Sequence, residues 1–285
     1  MTQVMKKLLF ILPLALMVNS CIFFKMDNYD GPNASITGRI IDSKTKENVP
    51  TECKYGNFFG GAYMGAPTTG YFSVYEKDRS EVYDIPLEGT GTQYWHIKYD
   101  GTYSNTKVFS GNYRIAALSD NFYPVTKDDV RINAGDNVLD WEVTPYCRIL
   151  NPKIELVGGK FVATFAVEFG DATKANVVYD ARLLCYPDCY VGMYCNYCAS
   201  DQGANMLDVT GTGAVVNEVK ADGSTYTLTI DPNDQLNYSA FMYPGKGKER
   251  FFRIAVCAIG VDATGRPIHN GSHFYNYSPT VKIVY

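Results

Sequence analysis

Cys185, Cys189, Cys195 and Cys198 fall within one fourteen-residue stretch, the densest set of reactive side chains in the chain. Four soft thiolates could wrap a tetrahedral zinc, but structural zinc sites usually pair two short knuckles, and only Cys195 and Cys198 are separated by two residues. No metal or other cofactor is therefore expected. A redox role for the same pair would need a strand-to-helix junction in a βαβ unit, which the surrounding sequence lacks. Disulfides among these four cysteines, stapling a long loop, are the expectation, with the connectivity left open by the spacing.

The same stretch carries Tyr186, Tyr190, Tyr194 and Tyr197, and a second aromatic group, Tyr94, Trp95, Tyr99 and Tyr103, flanks the turn at Asp100 and Gly101. Flat aromatic faces can take the apolar side of a sugar ring while a hydroxyl or indole N–H bonds a ring oxygen. Tyr186, Tyr190, Tyr194, Tyr197, Tyr94 and Trp95 are thus the candidate ligand contacts. The competing reading is sandwich core, since strand aromatics are more often buried than functional; it weighs more on Trp95 than on the cysteine-rich loop.

Signatures of catalysis are absent. His269 and His273 lie four apart, but Asn270 and Gly271 between them suggest a turn rather than a metal-binding helix. There is no nucleophile elbow, phosphate-cradling loop or dinucleotide fingerprint. Paired carboxylates for glycoside hydrolysis can be distant in sequence, so a hydrolase remains the enzymatic alternative to a non-catalytic binder, with a structural or adhesion subunit as a third reading.

The chain begins with Lys6 and Lys7, then an apolar run from Leu8 to Val18, then Asn19, Ser20 and Cys21. A basic pair followed by an apolar segment well short of the ~20 residues of a spanning helix reads as a secretory signal. Val18 to Cys21 resembles the bacterial lipobox, with Asn19 where that pattern usually has a small residue. The resemblance implies that residues 1–20 are removed and that Cys21 is acylated, anchoring the rest through residues 21–33 as a tether. Seven of the eight cysteines would then remain, an odd number that leaves at least one thiol, with Cys257, inside a strand, as the candidate.

The formal net charge is −4, and about −6 once Lys6 and Lys7 are removed, with no basic stretch. Nucleic acid is not an expected partner. Tyrosine is abundant, at 23 residues, and short apolar runs are punctuated by Gly, Pro, Asn and Asp, which favours β structure. Strands are expected over 35–42, 111–118, 160–169, 177–184, 225–230, 251–258 and 281–285. Phe161, Ala163, Phe165, Val167 and Phe169 share one face, as do Phe252, Ile254, Val256 and Ala258, and both strands read as half-buried. Thr144, Pro145 and Tyr146 mark the boundary between an all-β domain over 34–143 and a second over 144–285. Two β-sandwiches fit this pattern.

Thr37 to Asp42 followed by Val49 and Pro50, with Phe109 to Tyr113 further on, resembles the transthyretin-like domain of the carboxypeptidase regulatory type. Asp27 to Ala34 and Tyr275 to Ser278 are similar to a family of two-domain surface lipoproteins from Bacteroidetes. The resemblance implies a transthyretin-like sandwich followed by an immunoglobulin or fibronectin-III-like one, with no catalytic residues to carry over. It also implies outer-membrane anchoring, a glycan or peptide ligand, and association with SusC/SusD-like uptake systems.

Overall fold

The computed structural model describes residues 31–52, 70–78, 93–118, 121–193, 196, 198–199, 219–233, 241, 249–264 and 275–285. The fold is all-β. Among the described residues, eight strands come before residue 144: β1 (Ala34–Asp42), β2 (Tyr71–Glu76), β3 (Gln93–His96), β4 (Thr102–Val108), β5 (Gly111–Leu118), β6 (Val125–Ile132), β7 (Gly135–Val138) and β8 (Trp141–Val143). One sheet has the order β4-β1-β7, with β8 also on β1, and the other the order β3-β2-β5-β6. Strict alternation explains why these sheets face each other. In β5, Gly111, Tyr113, Ile115 and Ala117 are buried while Asn112 and Arg114 are exposed. The buried row meets Ile36 and Ile40 of β1, and the Phe72 ring lies 4.6 Å from Tyr103 and 5.3 Å from Trp141.

Eight more strands follow among the described residues: β9 (Cys147–Val157), β10 (Lys160–Phe169), β11 (Val177–Tyr186), β12 (Cys198–Ala199), β13 (Tyr226–Ile230), β14 (Glu249–Ile259), β15 (Tyr275–Tyr277) and β16 (Val281–Val284). They form a β13-β10-β9 sheet and a β12-β11-β14-β15 sheet with β16 also on β14. Phe161, Ala163, Phe165 and Val167 enter one core with Phe252, Ile254, Val256 and Ala258. The expectation that β14 is half-buried does not hold. Ala255 and Cys257 on its opposite face are also buried, because Tyr275, Tyr277 and Val191 cover that side. A strand covered on both faces loses the polar alternation that signals one wet side.

Two glycines are required by close backbone approach. Gly101 has φ +79° in the turn before β4, and a Cβ there would sit 2.5 Å from the Val49 carbonyl oxygen. At Gly170 a Cβ would lie 1.5 Å from the Pro145 carbonyl oxygen, where the end of β10 crosses the link between β8 and β9.

The two halves meet through polar groups that are themselves buried. Arg253 of β14 is 1% exposed. Its Nε donates to the Ser278 carbonyl at 2.8 Å, Nη1 to the carbonyls of Thr51 at 2.9 Å and Val191 at 3.3 Å, and Nη2 to that of Tyr99 at 2.9 Å. The guanidinium also lies 4.8 Å from the centre of the Tyr277 ring, whose hydroxyl donates to the buried Glu52. Asn276 adds a second link: its Nδ2 donates to the Asn121 carbonyl at 2.6 Å and its Oδ1 accepts from the Cys147 amide at 2.9 Å. Replacing Arg253 with Met would leave several buried carbonyls without a donor. A loss of about 3 kcal/mol is expected, read as a lower urea midpoint in equilibrium unfolding.

Candidate functional site

At the end of β1 the chain turns through residues 43–48, and Asp42 holds that turn. Its Oδ1 accepts from the Lys44 amide at 2.9 Å and its Oδ2 from the Thr45 hydroxyl at 3.3 Å. The same carboxylate receives Arg148 of β9 in a two-pronged pair, Nε to Oδ2 at 2.6 Å and Nη2 to Oδ1 at 2.8 Å. Both side chains are nearly buried, at 8% and 6% exposure. Arg148 Nη1 continues to Glu168 of β10 at 2.9 Å, and Lys44 meets Glu168 at 2.7 Å. One carboxylate therefore orders a turn of the first half and fixes the first strand of the second.

Above this pair lies a groove of about 360 Å³ between the halves. Thr45, Glu47, Asn48 and Pro50 form one wall, and Ile149, Leu150, Asn151 and Pro152 of β9 the other, with Asn276 to Pro279 along the base. The volume is at the small end of the range for small-molecule sites. Two rim residues have left-handed backbones that redirect the chain, Lys46 at φ 63° and Asn151 at φ 48°.

Burial pushes the Asp42 carboxyl up, but the hydrogen bond from Arg148, that from the Lys44 amide and the Arg148 charge outweigh it and hold the group below its ordinary 3.8. For Glu168, the hydrogen bond from Lys44 is the largest influence and lowers the pKa. Among the described residues no cluster of three or more metal-ligating side chains occurs.

Among the described residues, the candidate ligand contacts do not assemble into one site. Trp95 is a correction: it is 5% exposed in the first core, and its indole N–H donates to Gln93 at 3.2 Å, so its ring is packing rather than a sugar platform. Tyr94, its neighbour on the opposite face of β3, is half-buried and edge-on to Tyr71, with ring centres 5.6 Å apart. Tyr186 and Tyr190 are half-buried. The Tyr190 ring packs edge-on against Tyr99 of the first half at 5.5 Å, so this part of the loop is an interdomain contact. Tyr194, Tyr197, Cys195, His269, His273 and Cys21 lie outside the described residues, as does the side chain of Cys198.

The expected disulfides are also corrected for two members. Cys185 and Cys189 are thiols rather than half-cystines, as are Cys147 and Cys257. Cys185 points into the second core, and interaction with the neighbouring Cys189 thiol is the largest influence raising the Tyr99 pKa. The backbone register sets Cys185 opposite Cys198 on the short strand β12. The groove itself was missed in the sequence. Asp42 and Arg148 stand 106 positions apart, and the only local hint was the turn from Ser43 to Asn48.

No family model matches the sequence, and no curated protein does. Solved structures do. A protein from Bacteroides uniformis, named for suspected carbohydrate binding, is similar at 27% identity and a TM-score of 0.64, over 90% of this chain and 100% of that one. DUF3823 family proteins from Bacteroides ovatus (18% identity, TM-score 0.57, 88% of this chain and 98% of that one) and Parabacteroides merdae (17%, 0.56, 89% and 100%) share the fold.

Two outcomes follow from the site. The stability that the depressed Asp42 carboxyl contributes is fully present above its ordinary 3.8 and is lost as pH falls through the lower folded value. Urea midpoints measured from neutral pH into that acid range should fall more steeply for the wild type than for Asp42→Asn, which starts lower. Burial pushes the Cys147 thiol far up. Iodoacetamide with peptide mapping should leave Cys147 and Cys257 unlabelled until urea is added, while the half-buried Cys189 reacts in the native protein.

Proposed function

We propose that this chain is a lipid-anchored cell-surface protein of the outer membrane, acting as a non-catalytic glycan-binding or accessory component of a SusC/SusD-like nutrient uptake system. The observation that carries the binding half of this reading is the groove: a cleft between two sandwiches, walled by short polar side chains and prolines, with its floor fixed by a buried ion pair. Such a cleft binds without remodelling, since one wall belongs to β9 and the other to a short turn pinned by Asp42. The likeness to the Bacteroides uniformis protein named for carbohydrate binding supports the ligand class.

Anchoring rests on the sequence. The basic pair, the short apolar run and Cys21 stand in the order of a lipoprotein signal, and no helix among the described residues is long and apolar enough to cross a membrane. Acyl chains on Cys21 would hold the body at the bilayer, each buried methylene contributing about 0.8 kcal/mol.

Two measurements test the reading. Metabolic labelling with an alkyne fatty acid should tag the wild type and not Cys21→Ser; a wild type left untagged and retaining Met1 removes the anchor. The soluble protein from residue 22 should be retarded in affinity gels containing its polysaccharide and release no sugar from it. Release of oligosaccharides would favour the hydrolase alternative.

A further inference from the structure

Resting on the glycan-binding reading, we infer that the interdomain groove takes a neutral sugar unit and discriminates against sulfated or uronic-acid glycans, with Glu47 and Asn151 as the residues that contact its hydroxyls. The charged groups of the lining are largely committed to one another. The only cation in it among the described residues, Arg148, is fully engaged: Nε and Nη2 with Asp42, and Nη1 with Glu168 at 2.9 Å. Lys44 and Lys46, just outside, are paired with Glu168 and Glu142 at 2.7 and 2.9 Å. An anionic sugar entering the groove would find no uncommitted cation among the described residues.

The uncommitted groups point the other way. Glu47 is exposed on the wall, and its carboxylate makes no hydrogen bond or ion pair among the described residues. Asn151 is likewise exposed, and its carboxamide is unengaged among them. Asn48, also in the lining, donates its amide to the Asp100 carbonyl at 3.2 Å, which leaves its side-chain oxygen as an acceptor. A carboxylate accepts from sugar hydroxyls, and a carboxamide both donates and accepts, so the pair suits vicinal hydroxyls. Pro50, Pro152, Ile149 and Leu150 supply the apolar surface that a ring's C–H face requires. Glu47 would repel a sulfate or carboxylate across the narrow cleft.

A peptide strand fits less well. β9 is the edge of its sheet and could accept an added strand. At the groove, however, Asn151 adopts φ 48° and Pro152 has no N–H, so the run of main-chain partners is broken where the ligand would lie.

The test uses the soluble protein from residue 22 and a calorimetric panel of neutral gluco-, galacto- and manno-oligosaccharides, each paired with a sulfated or uronic counterpart. At least one neutral member is expected to bind, at least tenfold more tightly than its acidic counterpart. Glu47→Gln should narrow that preference. Asn151→Gly, which keeps the left-handed backbone relaxed, should weaken neutral binding about tenfold with little change in thermal midpoint. If a neutral sugar binds but neither variant alters it, the groove assignment fails while the glycan reading stands. Preference for an acidic member overturns the charge argument, and no binding across the panel, or binding of a peptide library instead, overturns both.

Discussion

A guanidinium buried to 1% exposure must find its acceptors inside the protein, and Arg253 finds them on segments far apart in sequence. Thr51 and Tyr99 belong to the first half, Val191 to the cysteine- and tyrosine-rich loop, and Ser278 to the link between β15 and β16. Taking a charge out of water costs several kcal/mol unless such partners are in place, so the half that carries Arg253 is complete only when the other half is docked. The Tyr277 ring beneath the cation and the Glu52 carboxylate beyond it extend this polar centre. Gly192 belongs to it as well, since a Cβ there would sit 2.4 Å from Glu52 Oε1.

Asp42 and Arg148 repeat the principle at the other edge of the interface. A single carboxylate satisfies a turn amide, a hydroxyl and a guanidinium, and the shape of the groove follows from those commitments. Because the turn that carries Glu47 is fixed from below, groups on the two walls keep a constant separation, which favours recognition by preorganisation over induced closure. The described part of the cysteine- and tyrosine-rich loop makes contacts its composition did not suggest. Tyr190 and Cys189 meet Tyr99, and Val191 covers β14, so at least this portion helps to join the halves.

Local patterns made the strands legible. β5 and β10 run over the residues expected from alternation, and the Asp100–Gly101 turn has the positive φ that its glycine allows. β14 was read as half-buried because sequence shows the apolar period but not what lies against the second face. Trp95 failed as a platform for the same reason. A ring beside a turn looks accessible until the fold sets it on the core face of its sheet, beside Tyr113 of β5, whose ring centre lies 6.2 Å away. The groove was illegible because its charges pair across more than a hundred residues, and no periodicity links Asp42 to Arg148.

Two sandwiches behave as one body because buried cations are shared between them. The two tryptophans, Trp95 and Trp141, both lie in the first core, while Cys257 is buried in the second half, so each half carries its own reporter. Urea unfolding followed in parallel by tryptophan fluorescence and by alkylation of Cys257 should give coincident midpoints. Alkylation of Cys257 at urea concentrations that leave the fluorescence native, or the reverse, would mean that the halves unfold independently and would contradict the account.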